Sequence, residues 1–203
     1  VVNEVFNNGT LIVASAGNGT TCNNASNLVY PASFENVLSV TSIGPNDNHE
    51  RFIGNTASTH QHNAMVDLSA PGYDVAISTA SGVYVSGTGS SYAAAYVSGA
   101  AALVLSVKPC LAVADLVQIL KSSADVINTI NPQYAGLIGT GRLNVEAAIQ
   151  LALTYSTLAV ESTVVLECGT TTQTIAVNPL SGDAPYSIIW ADGNTNLNYH
   201  HPC

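Results

Sequence analysis

Short, unbroken apolar runs alternate with one-faced helical stripes along the first three quarters of the chain. Residues 10–16, Thr-Leu-Ile-Val-Ala-Ser-Ala, form one such run, and its length suits a strand covered on both faces, as in a parallel sheet. The run ends in Gly17-Asn18-Gly19, residues that favour turns. Residues 36–41 predict a second strand of the same kind. Residues 64–68, closed by Ala70-Pro71-Gly72, predict a third, and the polar stretch 44–63 before it predicts a loop. Tyr84-Val85-Ser86 precedes a glycine-rich turn.

Helical periodicity fills the intervals. Residues 1–9 read as the end of an amphipathic helix with Gly9 at its C-terminal cap, entered midway, as if the chain were cut from something longer. The alanine-rich segment 91–106 is apolar on nearly every side, the pattern of a helix in the middle of a large domain, and Pro109 ends it. Val113, Leu116, Val117 and Leu120 follow the i, i+3, i+4, i+7 spacing of a one-faced helix. Asn144 reads as the N-cap of a further helix carrying Val145, Ala148, Ile149 and Ala152 on one face. Residues 1–155 thus read as one α/β unit. From about Ser156 the composition turns to Thr, Val and Ser, with strand-like runs at 163–166, 173–177 and 186–191 and a hairpin-type Asp192-Gly193. Residues 156–203 are too few for a seven-stranded sandwich and predict a partial all-β module.

Composition narrows the function classes. The chain has 203 residues, with four Lys+Arg against thirteen Asp+Glu and a formal net charge of −9. Four cations form no basic stripe for nucleic acid and no polybasic anchor for a membrane surface. With 8% charged and 47% hydrophobic residues, disorder is excluded as a description of the whole chain. Abundant Ser, Thr, Asn and Gly suit a secreted surface. The longest apolar stretch, 93–107, is interrupted by Ser98 and Gly99 and falls short of the roughly 18–20 residues that span a bilayer. Cys22, Cys110, Cys168 and Cys203 include no CxxC pair, which argues against zinc; they allow disulfides, in three complete pairings, or free thiols. His60-Gln61-His62 would put two imidazoles on one face of an extended segment, but without a third ligand it reads as a solvated loop.

Two positions carry candidate chemistry. Asn18 stands at the C-terminal end of a predicted parallel strand, where ligand sites of such sheets lie, although Gly-Asn-Gly also serves as a plain turn. Ser90 and Ser91 stand at the first turn of the apolar helix. Free N–H groups and the helix dipole there favour a nucleophile that develops negative charge, or simply an N-cap.

Taken together, Ala16-Gly17-Asn18, Tyr30-Pro31-Ala32, Ala70-Pro71-Gly72 and Gly89-Ser90-Ser91-Tyr92-Ala93 with Val97-Ser98-Gly99 resemble, in chain order, the motifs of the subtilisin-like serine proteases. The resemblance covers about residues 1–153. It implies the family's parallel sheet with helices on both faces, present here in part, and a nucleophile at Ser91. The oxyanion would be held by the Asn18 side chain and the Ser91 N–H, and Ala14, Ser15, Ala16 and Gly17 would line one wall of the substrate pocket. Ala95 stands in place of the family's Pro, and Ser90 in place of its Thr. In the family's order, the triad Asp and His belong upstream of Val1. All five histidines here (His49, His60, His62, His200, His201) follow Asn18.

The resemblance therefore implies part of an extracellular or cell-surface serine endopeptidase. Its partners would be a protein or peptide substrate and the N-terminal portion that supplies the rest of the triad. The chemistry requires no cofactor; subtilases often bind structural calcium, but no calcium-ligand motif maps onto this sequence. A rival expectation is a subtilase fold without turnover, used for extracellular binding or adhesion. Cys168, Pro185-Tyr186, Trp190 and Asp192-Gly193 resemble the immunoglobulin-like or adhesin-repeat modules that follow such domains.

Overall fold

The computed structural model describes residues 1–155 apart from Asn23 and Cys110, together with the backbone of 172–176 and 198–202. The chain divides into two compact units, Val1–Leu153 and Thr154–Cys203.

In the first unit, helix α1 (Val2–Asn7) ends by passing the Gly9 N–H to Phe6 O and the Thr10 N–H to Val5 O, the paired closure of a Schellman cap. The apolar runs then form a three-stranded parallel sheet in the order β1 (Ile12–Ser15), β2 (Val37–Ile43), β3 (Leu68–Pro71). Ile12 pairs with Val37, and Val40 with Leu68. All seven residues of β2 are buried, as expected of a central parallel strand, whereas every residue of β1 is only half-buried. Among the described residues no strand pairs with the other edge of β1. The far edge of β3 is covered by residues 141–143: Ser69 N–H donates to Gly141 O, and Leu143 N–H to Ser69 O.

The third strand differs from the expected 64–68. Val66 N–H donates to Asn63 O in a turn, and the strand begins at Leu68 and runs through Ala70-Pro71. Proline fits because it stands at the strand's last position, where no further ladder N–H is needed. The chain then adds an antiparallel hairpin, β4 (Val75–Ser78) with β5 (Tyr84–Gly87).

Helix α2 (Ser90–Val107) lies across β1, β2 and β3. Ala93, Val97, Ala100, Ala101 and Val104 form its buried stripe; Val97 and Val104 are wholly enclosed, and each such side chain is worth roughly 1.5–3 kcal/mol. Alanine at 93, 100 and 101 lets the helix sit close to the sheet while favouring helix formation. The expectation of burial all round is not met, since Tyr96, Leu103 and Val107 on the opposite side are exposed among the described residues. By length and composition alone this 18-residue helix could cross a bilayer; in this fold it is the helix laid on the sheet. Helix α3 (Val113–Ser122) packs on α2 and buries Val113, Leu116, Ile119 and Leu120. Helix α4 (Val145–Thr154) is capped as expected, with Asn144 Oδ1 accepting from Ala147 N–H at 2.9 Å.

In the second unit the described backbone is one antiparallel pair, β6 (Thr172–Ala176) with β7 (Asn198–Pro202). The expected runs at 163–166 and 186–191, the Asp192-Gly193 turn and the residues resembling a β module lie outside the described residues, as do Cys110, Cys168 and Cys203. Cys22 is half-buried and unbridged.

Residues 135–143 fold back against the start of β3. Ser69 Oγ donates to Ile138 O at 2.7 Å, and Ile138 joins Ile43, Ile127 and Tyr134 in a buried cluster. Gly139 makes this close approach possible: its φ is +78°, and a Cβ there would lie 2.3 Å from the Asp67 carbonyl carbon. Gly136 has nearly the same φ, +76°, but an added Cβ would meet nothing within 4 Å. Gly136→Ala should therefore cost only the left-handed backbone penalty of about 1–2 kcal/mol. Gly139→Ala should cost that and the steric displacement as well, for a total at least about twice as large. Urea unfolding of the two variants checks the order, and equal losses would contradict it.

Candidate active site

Strand β1 delivers Asn18 to the N-terminus of α2. Asn18 Oδ1 lies 2.9 Å from the Ser90 backbone nitrogen and 2.9 Å from Ser90 Oγ. The helix-capping acceptor thus comes from another element, and Gly89, the residue before the helix, provides no side-chain cap. Ser90 is wholly buried. Its Oγ accepts from the Gly17 N–H at 3.2 Å and lies 2.9 Å from Gly17 O and 2.7 Å from Ser15 Oγ. The Ser90 hydroxyl therefore ties the loop before Asn18 to the helix.

Ser91, by contrast, is exposed. At the second helical position its N–H has no intrahelical carbonyl to bond, and the dipole favours negative charge nearby. With Oδ1 committed to Ser90, the Nδ2 of Asn18 is the group left to donate. Of the four expected pocket-wall residues, Ala14 and Ser15 are half-buried, Ala16 and Gly17 are buried, and the Ser15 hydroxyl is turned to Ser90. Ala95 is exposed, on a helix that runs unbroken through it.

The expectation of a solvated loop at His60-Gln61-His62 is overturned. His60 is 7% exposed, and Gln61 and His49 are 0% exposed. Among the described residues no buried side-chain nitrogen or oxygen lacks a partner. Tyr73 Oη accepts from the His60 N–H at 2.8 Å and donates to His49 O at 2.9 Å. Asn131 Oδ1 accepts from the His49 N–H at 2.7 Å. These partners come from distant parts of the chain, and polarity along residues 44–63 carried no sign of them. No group of three or more His, Cys, Asp or Glu side chains among the described residues is arranged to hold a metal ion.

The histidines form a neutral network. His49 Nδ1 is 3.0 Å from Ser42 O, a carbonyl that can only accept, so Nδ1 carries the proton and Nε2 is the acceptor. His62 Nδ1, 3.2 Å from both His49 Nε2 and His60 O, is then the donor between them. His60 Nδ1 lies 2.7 Å from Ser42 Oγ. Burial is the main cause that lowers His49 to about 4, with His62 and His60 adding to it against the Ser42 hydrogen bond. Burial, with the Arg51 guanidinium, lowers His60 to about 4, and burial lowers His62 as well. Beside them, burial would raise Glu50, but hydrogen bonds from Tyr134, the Gly54 N–H and Gln133 hold its carboxyl below the ordinary value. None of these three histidines hydrogen-bonds Ser91.

Residues 1–150 match the Subtilase family, peptidase S8. The chain is 33% identical over 149 residues to subtilisin DY of Bacillus licheniformis, which covers 73% of this chain and 50% of that protein. It is 34% identical over 147 residues to subtilisin BL of Lederbergia lenta, covering 72% and 49%. The solved self-cleaved protease domain of PatA superposes with a TM-score of 0.58 at 28% identity, over 75% of this chain and 53% of that one. The chain thus spans about half the length of the curated relatives it matches.

The histidine network makes stability depend on mild acid. Each imidazole has a lower pKa folded than the ordinary 6.5, so the unfolded chain binds more protons between these values. The contribution is complete above pH 6.5 and is lost as pH falls from 6.5 towards 4. The melting temperature should fall steadily across that window, beginning well above the ordinary carboxylate values of about 4. His49→Gln should flatten the slope. A profile flat between pH 6.5 and 4.5 would contradict the neutral network.

Proposed function

Because this chain belongs to the subtilase family, we propose that it is part of a serine endopeptidase that cleaves protein or peptide substrates through an acyl-enzyme. Ser91 Oγ attacks the scissile carbonyl and passes its proton to a histidine. The tetrahedral oxyanion is held by Asn18 Nδ2 and the Ser91 N–H. Collapse expels the amine, which takes the proton, and water then hydrolyses the Ser91 ester by the same route. Ala14, Ser15, Ala16 and Gly17 line one wall for the substrate residue before the scissile bond. The acyl transfer runs on side chains and backbone N–H groups and calls on no cofactor.

The observation that carries this reading is the commitment of Asn18 Oδ1 to Ser90. It leaves the amide's donor end and the free N–H of the exposed Ser91 as the unused polar groups at one helix terminus. The triad His and Asp come from the part of the relatives' length that this chain does not span. The half-buried edge of β1 and the exposed Tyr96 and Leu103 of α2 are where that portion would pack. Low charge and a surface rich in Ser, Thr and Asn suit an extracellular setting.

Treatment of the complete protein, with its preceding portion, with a fluorophosphonate should modify Ser91, read by mass spectrometry, and Ser91→Ala should abolish the label. Asn18→Ala should lower kcat by about 10²–10³ with little change in KM, the loss known for such a donor in subtilisin itself. Absence of label, with another subtilase labelled in parallel, would overturn the reading.

A further inference from the structure

We infer that Gln61 is a positioning residue for the oxyanion donor Asn18, an inference that rests on the role proposed above for that asparagine. Asn18 stands between Gly17 and Gly19, and Gln61 grips the backbone on both sides of it. The Gln61 N–H donates to Gly17 O at 3.1 Å, and Gln61 Oε1 accepts from the Gly19 N–H at 2.9 Å. The rest of Gln61 is anchored elsewhere. Its Nε2 donates to Asn24 O at 2.6 Å and lies 3.3 Å from Asn27 O, and its own carbonyl accepts from Thr41 Oγ1 of β2 at 2.5 Å. The residue is 0% exposed, and its acceptor and both amide hydrogens are engaged.

The loop needs such a grip. Gly17 and Gly19 have φ of +120° and +63°, so the backbone on either side of Asn18 is of the most permissive kind. The Ser90 hydroxyl and N–H hold the Asn18 side chain, but they do not reach Gly19. A Cβ at Gly19 would lie 2.1 Å from Thr59 O, so the loop sits directly on the segment that carries Gln61. An oxyanion donor acts only when held within about 0.5 Å of its working position. Gln61 fixes that position from beneath, touching neither substrate nor nucleophile.

Gln61 differs from an ordinary buried glutamine in acting through one residue. Relative to the complete, unlabelled parent protease, Gln61→Leu should lower kcat about tenfold and leave KM within about twofold, because the donor is needed mainly in the transition state. In an Asn18→Ala background the same change should cost under about twofold, since the side-chain donor that Gln61 positions is already gone. Gln61→Glu keeps an acceptor for the Gly19 N–H and should retain more kcat than Gln61→Leu; it carries the same cycle if the leucine variant fails to fold.

An equal loss in both backgrounds, or an unchanged kcat, would overturn the inference while leaving Ser91 labelling intact. Amide hydrogen exchange supplies a readout independent of catalysis. Residues 16–20 should exchange faster in Gln61→Leu than in the parent, relative to α3, whether or not Ser91 labels. Unchanged protection there would also overturn the inference. Failure of labelling in the parent protein, with exchange responding as expected, would instead fault the proposed function.

Discussion

The side-chain oxygen of Asn18 satisfies the first backbone N–H of α2, and that contact, with the Ser90 hydroxyl on Gly17, joins the end of the sheet to the start of the longest described helix. A helix terminus at a buried position must find acceptors for its leading N–H groups. Here the acceptor arrives from 72 residues earlier in the chain. The same contact sorts the two ends of the asparagine amide and, with it, the two adjacent serines. Ser90 faces inward and becomes part of the scaffold, while Ser91 is left exposed beside a free N–H.

The support beneath that bridge is polar rather than apolar. Residues 49–63 bring His49, Glu50, His60, Gln61 and Asn63 into the interior, where each is hydrogen-bonded. Buried polar networks are costly when incomplete and specify one arrangement when complete. Two consequences come from the same packing. The imidazoles are held neutral, which couples the fold to mild acidity, and the glutamine between two of them is held rigidly enough to serve as a grip on the Asn18 loop.

The outer face of the assembly has the opposite character. Strand β2 is enclosed on every side, yet β1 next to it is half-open, and α2 turns Tyr96 and Leu103 outward. Among the described residues the outer edge of β1 is unpaired and this apolar face of α2 is uncovered. The chain spans about half the length of the curated relatives it matches, and under the proposed function the general base comes from the part it does not span.

Local pattern made much of this legible. Continuous apolar runs marked β1 and β2, the one-faced stripe marked α3, and Asn144 marked the cap of α4, because burial period and capping chemistry are properties of neighbouring residues. Asn18 and the Gly89-Ser90-Ser91 turn were visible too, since glycine-bounded turns and family motifs are contiguous. Other features depended on residues far apart in sequence. Val66 looked like strand but closes a turn on Asn63, because β3 takes its register from Val40 and Thr41 of β2. Helix α2 looked buried all round, but among the described residues only the sides that meet the sheet and α3 are covered. Most of all, His60-Gln61-His62 looked solvated, because a polar string reads the same whether its partners are water or Gly17, Ser42 and Tyr73. Only folding brings those groups within hydrogen-bond reach, and hydrogen bonding from distant segments leaves no period in a sequence.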